Sequence, residues 1–63
     1  MKVYGFLVAH GYEILKGFVE ANSKEEAKTM ILEEEWDDVI DSYEASECTI
    51  GYEIIEIWEV KQN

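Results

Sequence analysis

Apolar and polar positions along this 63-residue chain change their period several times, and each change marks the edge of a predicted element. Residues 3–9 and 12–21 are rich in β-branched and aromatic side chains, which is typical of strands. Between them, His10-Gly11 indicates a turn, because Gly11 can adopt a positive φ. The pattern therefore predicts a β-hairpin over the first third of the chain.

The register of this predicted hairpin depends on the length of its loop. A two-residue loop pairs Phe6 with Leu15, whereas a three-residue loop pairs Leu7 with Leu15. We favour the longer loop, which places an apolar set on each face of the hairpin. One face carries Val3, Leu7, Leu15, Val19 and Ala21. The other face carries Tyr4, Phe6, Val8, Tyr12, Ile14 and Phe18.

A helix is predicted from about Lys24 to Glu35. Ser23 is a favoured N-cap, and Glu26 follows three residues later, which predicts a capping box. In such a box the serine hydroxyl accepts from the Glu26 amide, and the Glu26 carboxylate accepts from the Ser23 amide. Apolar side chains then recur at helical spacing and predict the face that packs on the sheet, namely Ala27, Met30 and Ile31.

The next apolar stripe, Trp36, Val39, Ile40 and Tyr43, is rotated by roughly half a turn from the first. One straight helix cannot bury both stripes against one sheet, so a break is expected near Glu35. Two alternatives follow for this segment. Residues 37–43 form a short second helix capped by the Asp37-Asp38 pair, or they form a loop with the apolar side chains tucked in.

Residues 50–60 are predicted to form the third strand, with Ile50, Tyr52, Ile54, Trp58 and Val60 on one face and Ile55 and Ile57 on the other. The resulting order is ββαβ in one α+β domain over residues 1–63. A crossover through the helix favours a three-stranded antiparallel sheet with strand order 2-1-3. One helix covers one face of this sheet, and the other apolar face needs a second cover.

Fifteen acidic residues and five lysines give the chain a net charge of −10. This balance argues against direct binding to nucleic acid or to an anionic membrane surface. The acids concentrate in a stretch without bases, where they are predicted to bind a partner: Glu33, Glu34, Glu35, Asp37, Asp38, Asp41, Glu44 and Glu47. Three interpretations compete, namely a solvated face, a surface for a basic protein that imitates DNA phosphates, and a divalent-metal site.

Catalytic chemistry is not indicated. His10 sits at the predicted turn without a nucleophile near it in sequence, and Cys48 has no CxxC partner and no neighbouring base. The acid spacing lacks the alternating positions and glycine of a calcium loop. We therefore expect a non-enzyme without cofactor or metal. The single cysteine, the absence of a membrane-length apolar run and an N-terminus unlike a signal peptide favour the cytoplasm.

The junction from Gly17 to Ala27 (GFVEANSKEEA) resembles small acidic proteins encoded by phages and mobile elements, of which the DpnD/PcfM-like family is an example. In that pattern, a strand ending in V-x-A is followed by S-x-E-E-A and an acidic helix. The similarity extends over about a third of the chain. It implies a phage or mobile-element origin and brings no catalytic residues.

Two functional hypotheses follow. In the first, the chain is an acidic interaction protein that inhibits a basic, nucleic-acid-binding host defence protein. In the second, it is a structural or assembly subunit that uses an apolar sheet face. Both include a homodimer, whose predicted interface is Tyr4, Phe6, Val8, Tyr12, Ile14 and Phe18. The reason is that one short helix leaves the second face of a three-stranded sheet uncovered.

Overall fold

A computed structural model describes residues 1–61 and shows an α+β fold. Strand β1 spans Lys2–Ala21, helix α1 spans Lys24–Leu32, and strand β2 spans Asp38–Val60. The two strands form a two-stranded antiparallel sheet. Their register runs from Val3 opposite Val60 to Phe18 opposite Asp38.

The prediction of a three-stranded sheet with strand order 2-1-3 is wrong. Residues 2–21 form one strand, and the predicted third strand is the second half of β2. The backbone conformation predicted for the turn is nevertheless present, since Gly11 has a φ of 63°. The strand assignment continues through that position because Gly11 pairs with Thr49 on β2, so the partner of this segment lies on the distant strand.

Both strands must bend back on themselves. At about 3.3 Å per residue, an extended strand of 20 residues would be about 66 Å long. The longest dimension of the molecule is only 36 Å. The register shifts on both sides of Gly11, and Gly51, with a φ of 73°, lies in the adjacent irregular part of β2. We therefore place the bend of the ribbon at these two glycines, where positive φ is accessible without a Cβ clash.

The bend brings distant parts of β1 together. Phe6 and Gly17 would be about 36 Å apart in a straight strand. In the structure, a Cβ added to Gly17 would lie 2.8 Å from Cζ of Phe6. The two halves of β1 thus contribute to one core, together with α1. Its buried members are Tyr4, Phe6, Val8, Val19, Ala21, Ala27 and Ile31.

The start of α1 follows the prediction closely. Ser23 is the N-cap, and its hydroxyl accepts a hydrogen bond from the Glu26 amide at 3.2 Å. The second hydrogen bond of the predicted capping box has a different donor. The Glu26 carboxylate accepts from the backbone amide of Asn22 at 3.4 Å, and not from that of Ser23. A serine cap contributes about 1 kcal/mol to helix stability. Ala27 and Ile31 are buried and Met30 packs against the core, as the spacing predicts.

The end of α1 comes earlier than predicted, at Leu32. The Glu34 amide donates to Ile31 O at 3.2 Å, and the Glu35 amide donates to Met30 O at 2.8 Å. These two bonds form a Schellman motif, which requires a left-handed residue directly after the cap. Glu34 occupies that position with a φ of 60°. Glycine is the usual residue there, so a glutamate is an uncommon choice.

The predicted second helix or loop over 37–43 is also wrong, since β2 begins at Asp38. Val39, Ile40 and Tyr43 have strand-favouring side chains, and their spacing of three and four residues does not by itself exclude a strand. Backbone pairing with β1 decides the outcome: Val39 lies opposite Gly17, and Tyr43 lies opposite Ile14. Ile40 is the extra residue where the register shifts between these two pairs.

The predicted faces of residues 50–60 are interrupted at Ile55, and the residues beyond it change face. The register shifts between Leu7 and Val8, so that Ile55 is an extra residue in β2. Ile54 and Ile57, predicted on opposite faces, consequently lie opposite Val8 and Phe6 and both pack against the core. A β-bulge of this kind reverses the alternation of side chains beyond it.

Replacing Gly17 with alanine tests the close approach at the bend. We expect a loss of about 1–3 kcal/mol in the free energy of unfolding, because the new methyl group overlaps the Asp38 backbone carbonyl as well as Phe6. The measurement is urea denaturation followed by circular dichroism. Gly5→Ala is the matched comparison and should cost less, since the atoms nearest to its methyl group belong to the Trp58 side chain and not to the backbone. Equal stability of the Gly17 variant and the native chain would contradict the packing.

Candidate functional site

Eight acidic residues predicted to bind a partner are all exposed in the structure, and we call them the acidic run: Glu33, Glu34, Glu35, Asp37, Asp38, Asp41, Glu44 and Glu47. The first four lie at the end of α1 and in the connection that follows it. The other four lie on the first half of β2, where nearly every residue is exposed. The fold therefore spreads these carboxylates along a continuous stretch of backbone at the surface.

The charge of the acidic run is not neutralised by ion pairs within residues 1–61. Among residues 1–61 the ion pairs are Lys2–Glu59 and Lys28–Glu25, each at 3.7 Å, and neither includes the acidic run. Lys16 lies opposite Asp41 in the register but makes no ion pair in the described structure. Uncompensated carboxylates on one part of a small domain create a negative potential that attracts basic partners.

Three members of the acidic run also hold the local structure. The Asp37 carboxylate accepts from the Glu20 amide at 2.7 Å, next to a backbone bond from Asp37 N to Phe18 O at 3.1 Å. Asp41 accepts from the Ser42 amide at 2.9 Å and from the Tyr43 hydroxyl at 3.0 Å. Glu34 accepts from the Tyr52 hydroxyl.

The remaining five acids of the run make no side-chain hydrogen bond within the described part of the chain: Glu33, Glu35, Asp38, Glu44 and Glu47. Their carboxylates are free to contact a partner without the loss of an internal bond.

A cleft of about 460 Å³ opens beside the bend of the ribbon. We call it the bend cleft, and its lining residues come from both strands: Ala9, Ile14, Glu44, Ala45, Ser46, Glu47, Thr49, Glu53 and Ile55. It combines apolar side chains with three carboxylates and contains no base. Glu44 and Glu47 connect the cleft to the acidic run.

Two acids near the cleft were missed by the sequence-based prediction. Glu53 lines the cleft, and Glu13 lies directly opposite Glu44 in the register. Like charges that face each other across strands destabilise a sheet. Neither residue belongs to a local acidic stretch, and only the pairing of β1 with β2 brings them to the site. The pairing was not predicted, so no local feature of the sequence could have identified them.

An aromatic cluster lies under the end of α1. The rings of His10 and Tyr52 stack with centroids 4.3 Å apart, and Trp36 meets Tyr52 edge-on at 5.8 Å. Trp36 also contacts the buried Phe6 ring at 5.6 Å. The Tyr52 hydroxyl donates to the Glu34 carboxylate, which ties β2 to the left-handed residue after the helix. Aromatic stacking and this bond together fix the first part of the acidic run.

The residues predicted for a dimer interface do not form one open face. Tyr4, Phe6 and Val8 are buried within a single chain at 4%, 0% and 0% exposure, so they are not available to a second copy in this fold. Tyr12 is exposed, while Ile14 and Phe18 are partly exposed. The reason is the bend, which turns the face of Phe6 inward against α1.

His10 is exposed and stacks on Tyr52, and Cys48 is an exposed free thiol. Within residues 1–61, no group of three or more His, Cys, Asp or Glu side chains is arranged to hold a metal ion.

Over the described residues, no helix combines the length and apolar character needed to cross a bilayer.

Comparison with known proteins gives no match to a family model, to a curated protein or to a solved structure.

Tyr52 provides a spectroscopic test of the contact with Glu34. The hydrogen bond to the Glu34 carboxylate, with burial and the negative charges of Glu34 and Glu13, raises the pKa of Tyr52 above its ordinary value of about 10. The neutral phenol is therefore favoured in the folded state. This contribution to stability is fully present below pH ~10 and disappears as the pH rises through the raised pKa of Tyr52.

We expect Glu34→Gln to lower the pKa of Tyr52 towards its ordinary value, measured by NMR titration of the tyrosine ring signals. Asp41→Asn is the matched control. It should lower the pKa of Tyr43, which the hydrogen bond to Asp41, burial and the Asp41 charge raise in the same way, and leave Tyr52 unchanged. A pKa of Tyr52 that does not respond to Glu34→Gln would show that the contact is absent in solution.

Proposed function

We propose that this chain is a non-enzymatic binding module whose acidic run engages a basic protein. The observation that supports the proposal best is the exposure of the whole acidic run without an ion pair in the described structure. A carboxylate that serves only fold stability is commonly paired or hydrogen-bonded, whereas five of these eight are neither, counted over the side-chain bonds of residues 1–61.

The total charge supports the same partner class. A net charge of −10 on 7.3 kDa repels the phosphates of nucleic acid and anionic lipid headgroups. It accelerates association with a positively charged protein, and this effect weakens as salt shortens the Debye length from about 10 Å at 0.1 M. The proposal therefore predicts a salt-sensitive association rate.

More specifically, we propose that the partner is a nucleic-acid-binding defence protein of a host cell. The acidic run would occupy the basic surface that this protein uses for phosphates. The support is the sign and exposure of the charge, together with the resemblance of residues 17–27 to DpnD/PcfM-like proteins of phages and mobile elements. A cytoplasmic location belongs to this form of the proposal.

A second candidate function is assembly through exposed apolar side chains, and a different observation favours it. Large apolar residues on β2 remain in solvent, most of all Ile50, with 99% exposure. The others on this strand are Val39, Ile40, Tyr43 and Ile55. Burying such side chains between copies would stabilise an assembly by ~25 cal/mol for each Å² removed from water. This version places the homodimer contact on β2, not on Phe6 and Val8.

Neutralising two unbonded acids tests the first candidate. We expect Glu35→Gln with Asp38→Asn to weaken binding to a captured basic partner by about threefold or more, since each exposed charge pair contributes roughly 0.2–1 kcal/mol. The matched control is Glu20→Gln with Glu56→Gln, which removes the same charge outside the acidic run. Binding is measured after pull-down from host lysate, at low and moderate salt.

Equal weakening by both double variants would show that only net charge matters and would contradict a role for the acidic run. The absence of any salt-sensitive partner at low salt would contradict the proposed function itself.

Sedimentation at micromolar concentration and moderate salt tests the second candidate. Assembly predicts a mass near twice 7.3 kDa or higher, and Ile40→Ser should return the chain to the monomer mass. The control is Leu32→Ser, which changes an exposed apolar residue of α1 instead of β2 and should leave the mass unchanged. A native mass near 7.3 kDa would rule out assembly through β2.

A further inference from the structure

The bend cleft exists because the two strands lose their register there. Gly11 lies opposite Thr49, but Glu13 already lies opposite Glu44. Residues 45–48 of β2 therefore have no partner on β1 in the register and must loop away from it. Three of these four residues line the cleft, so the irregular segment forms one wall of it.

The lining of the cleft combines two kinds of side chain, and we call the apolar residues Ala9, Ile14 and Ile55 its floor and the three carboxylates its rim. Ala9 is buried, and Ile14 and Ile55 add apolar surface from both strands. Three carboxylates, from Glu44, Glu47 and Glu53, share the lining with this apolar surface, and no lysine is among the lining residues. An occupant that fits must bring apolar groups for the floor and positive charge for the rim.

We propose that the bend cleft receives an arginine side chain of the basic partner, and this inference rests on the proposed function. The aliphatic stem of arginine covers apolar surface while its guanidinium stays in contact with polar groups. The guanidinium has five N–H donors in a fixed plane and binds carboxylates through paired hydrogen bonds. Charge complementarity with the rim and contact with the floor thus select the same side chain.

The size and charge of the cleft agree with such an anchor. Its volume of about 460 Å³ lies within the ~300–1,000 Å³ of small-ligand sites, which is enough space for a single side chain. Glu13 and Glu44 face each other beside it, and a cation placed there relieves their repulsion. Binding energy in protein interfaces concentrates in a few anchors of this kind, among which arginine is enriched.

The direct test is NMR titration of the isotope-labelled chain with the peptide acetyl-Gly-Arg-Gly-amide at millimolar concentration. We expect the largest amide shifts at Ala45, Ser46 and Thr49, which line the cleft. The peptide in which citrulline replaces arginine has the same stem without the charge, and it should give shifts at least about threefold smaller. Equal shifts with both peptides, or shifts spread evenly over the acidic run, would overturn the proposal.

Two pairs of variants separate the rim from the floor. Glu47→Gln with Glu53→Gln should weaken arginine-peptide binding by about threefold or more, whereas Asp38→Asn with Glu35→Gln, the same charge change outside the cleft, should not. Ile55→Ser should weaken binding without any change in charge, and Ile50→Ser is its control, because Ile50 is exposed and does not line the cleft. Unchanged melting temperatures confirm that each variant is folded.

The failure of this inference can be told apart from the failure of the proposed function. If the rim variant leaves binding of the basic partner intact while the acidic-run variant weakens it, the cleft is not the anchor and the proposed function stands. If no basic partner binds the native chain, the proposed function fails. Retained peptide shifts in the Glu47→Gln, Glu53→Gln variant would overturn the cleft proposal directly.

Discussion

The contact of the Phe6 ring with Gly17 is the constraint on which the rest of the structure depends. A two-stranded ribbon has too few neighbours to bury both of its faces, and alone it is at most marginally stable. Bending the ribbon at Gly11 and Gly51 lets its two halves share one core with α1. Gly17 permits the approach because it has no side chain where Phe6 and the Asp38 backbone meet.

The same bend decides where the charge lies. With the core gathered on the inside, the first half of β2 is left with solvent on most of its length. The acidic run occupies this exposed strand and the end of α1, where Asp37 and Glu34 also hold the backbone through hydrogen bonds. The loss of register beside Gly11 then opens the bend cleft next to Glu44 and Glu47. Fold and proposed binding surface thus have one physical origin.

Features set by neighbouring residues could be predicted from the sequence, and features set by distant pairing could not. Ser23 and Glu26 start the helix through local bonds, and Gly11 has the positive φ that its turn context indicated. The spacing of Val39 and Tyr43 fits a helix and does not exclude a strand, and their pairing with β1 decided the outcome. The bulge at Ile55 and the position of Glu13 opposite Glu44 depend on that pairing as well. The acidic run could therefore be predicted from the sequence as an acidic stretch, whereas the bend cleft could not.

The bent ribbon can be tested most directly by a single NMR distance measurement. We expect a strong nuclear Overhauser effect between the ring protons of Phe6 and the α-protons of Gly17, residues that a straight strand would hold about 36 Å apart. The Phe6 ring should also show contacts with Ile57, its neighbour across the sheet. Contacts of Phe6 with Ile57 but none with Gly17 would mean that the ribbon is not folded back, and would contradict the shared core and the cleft together.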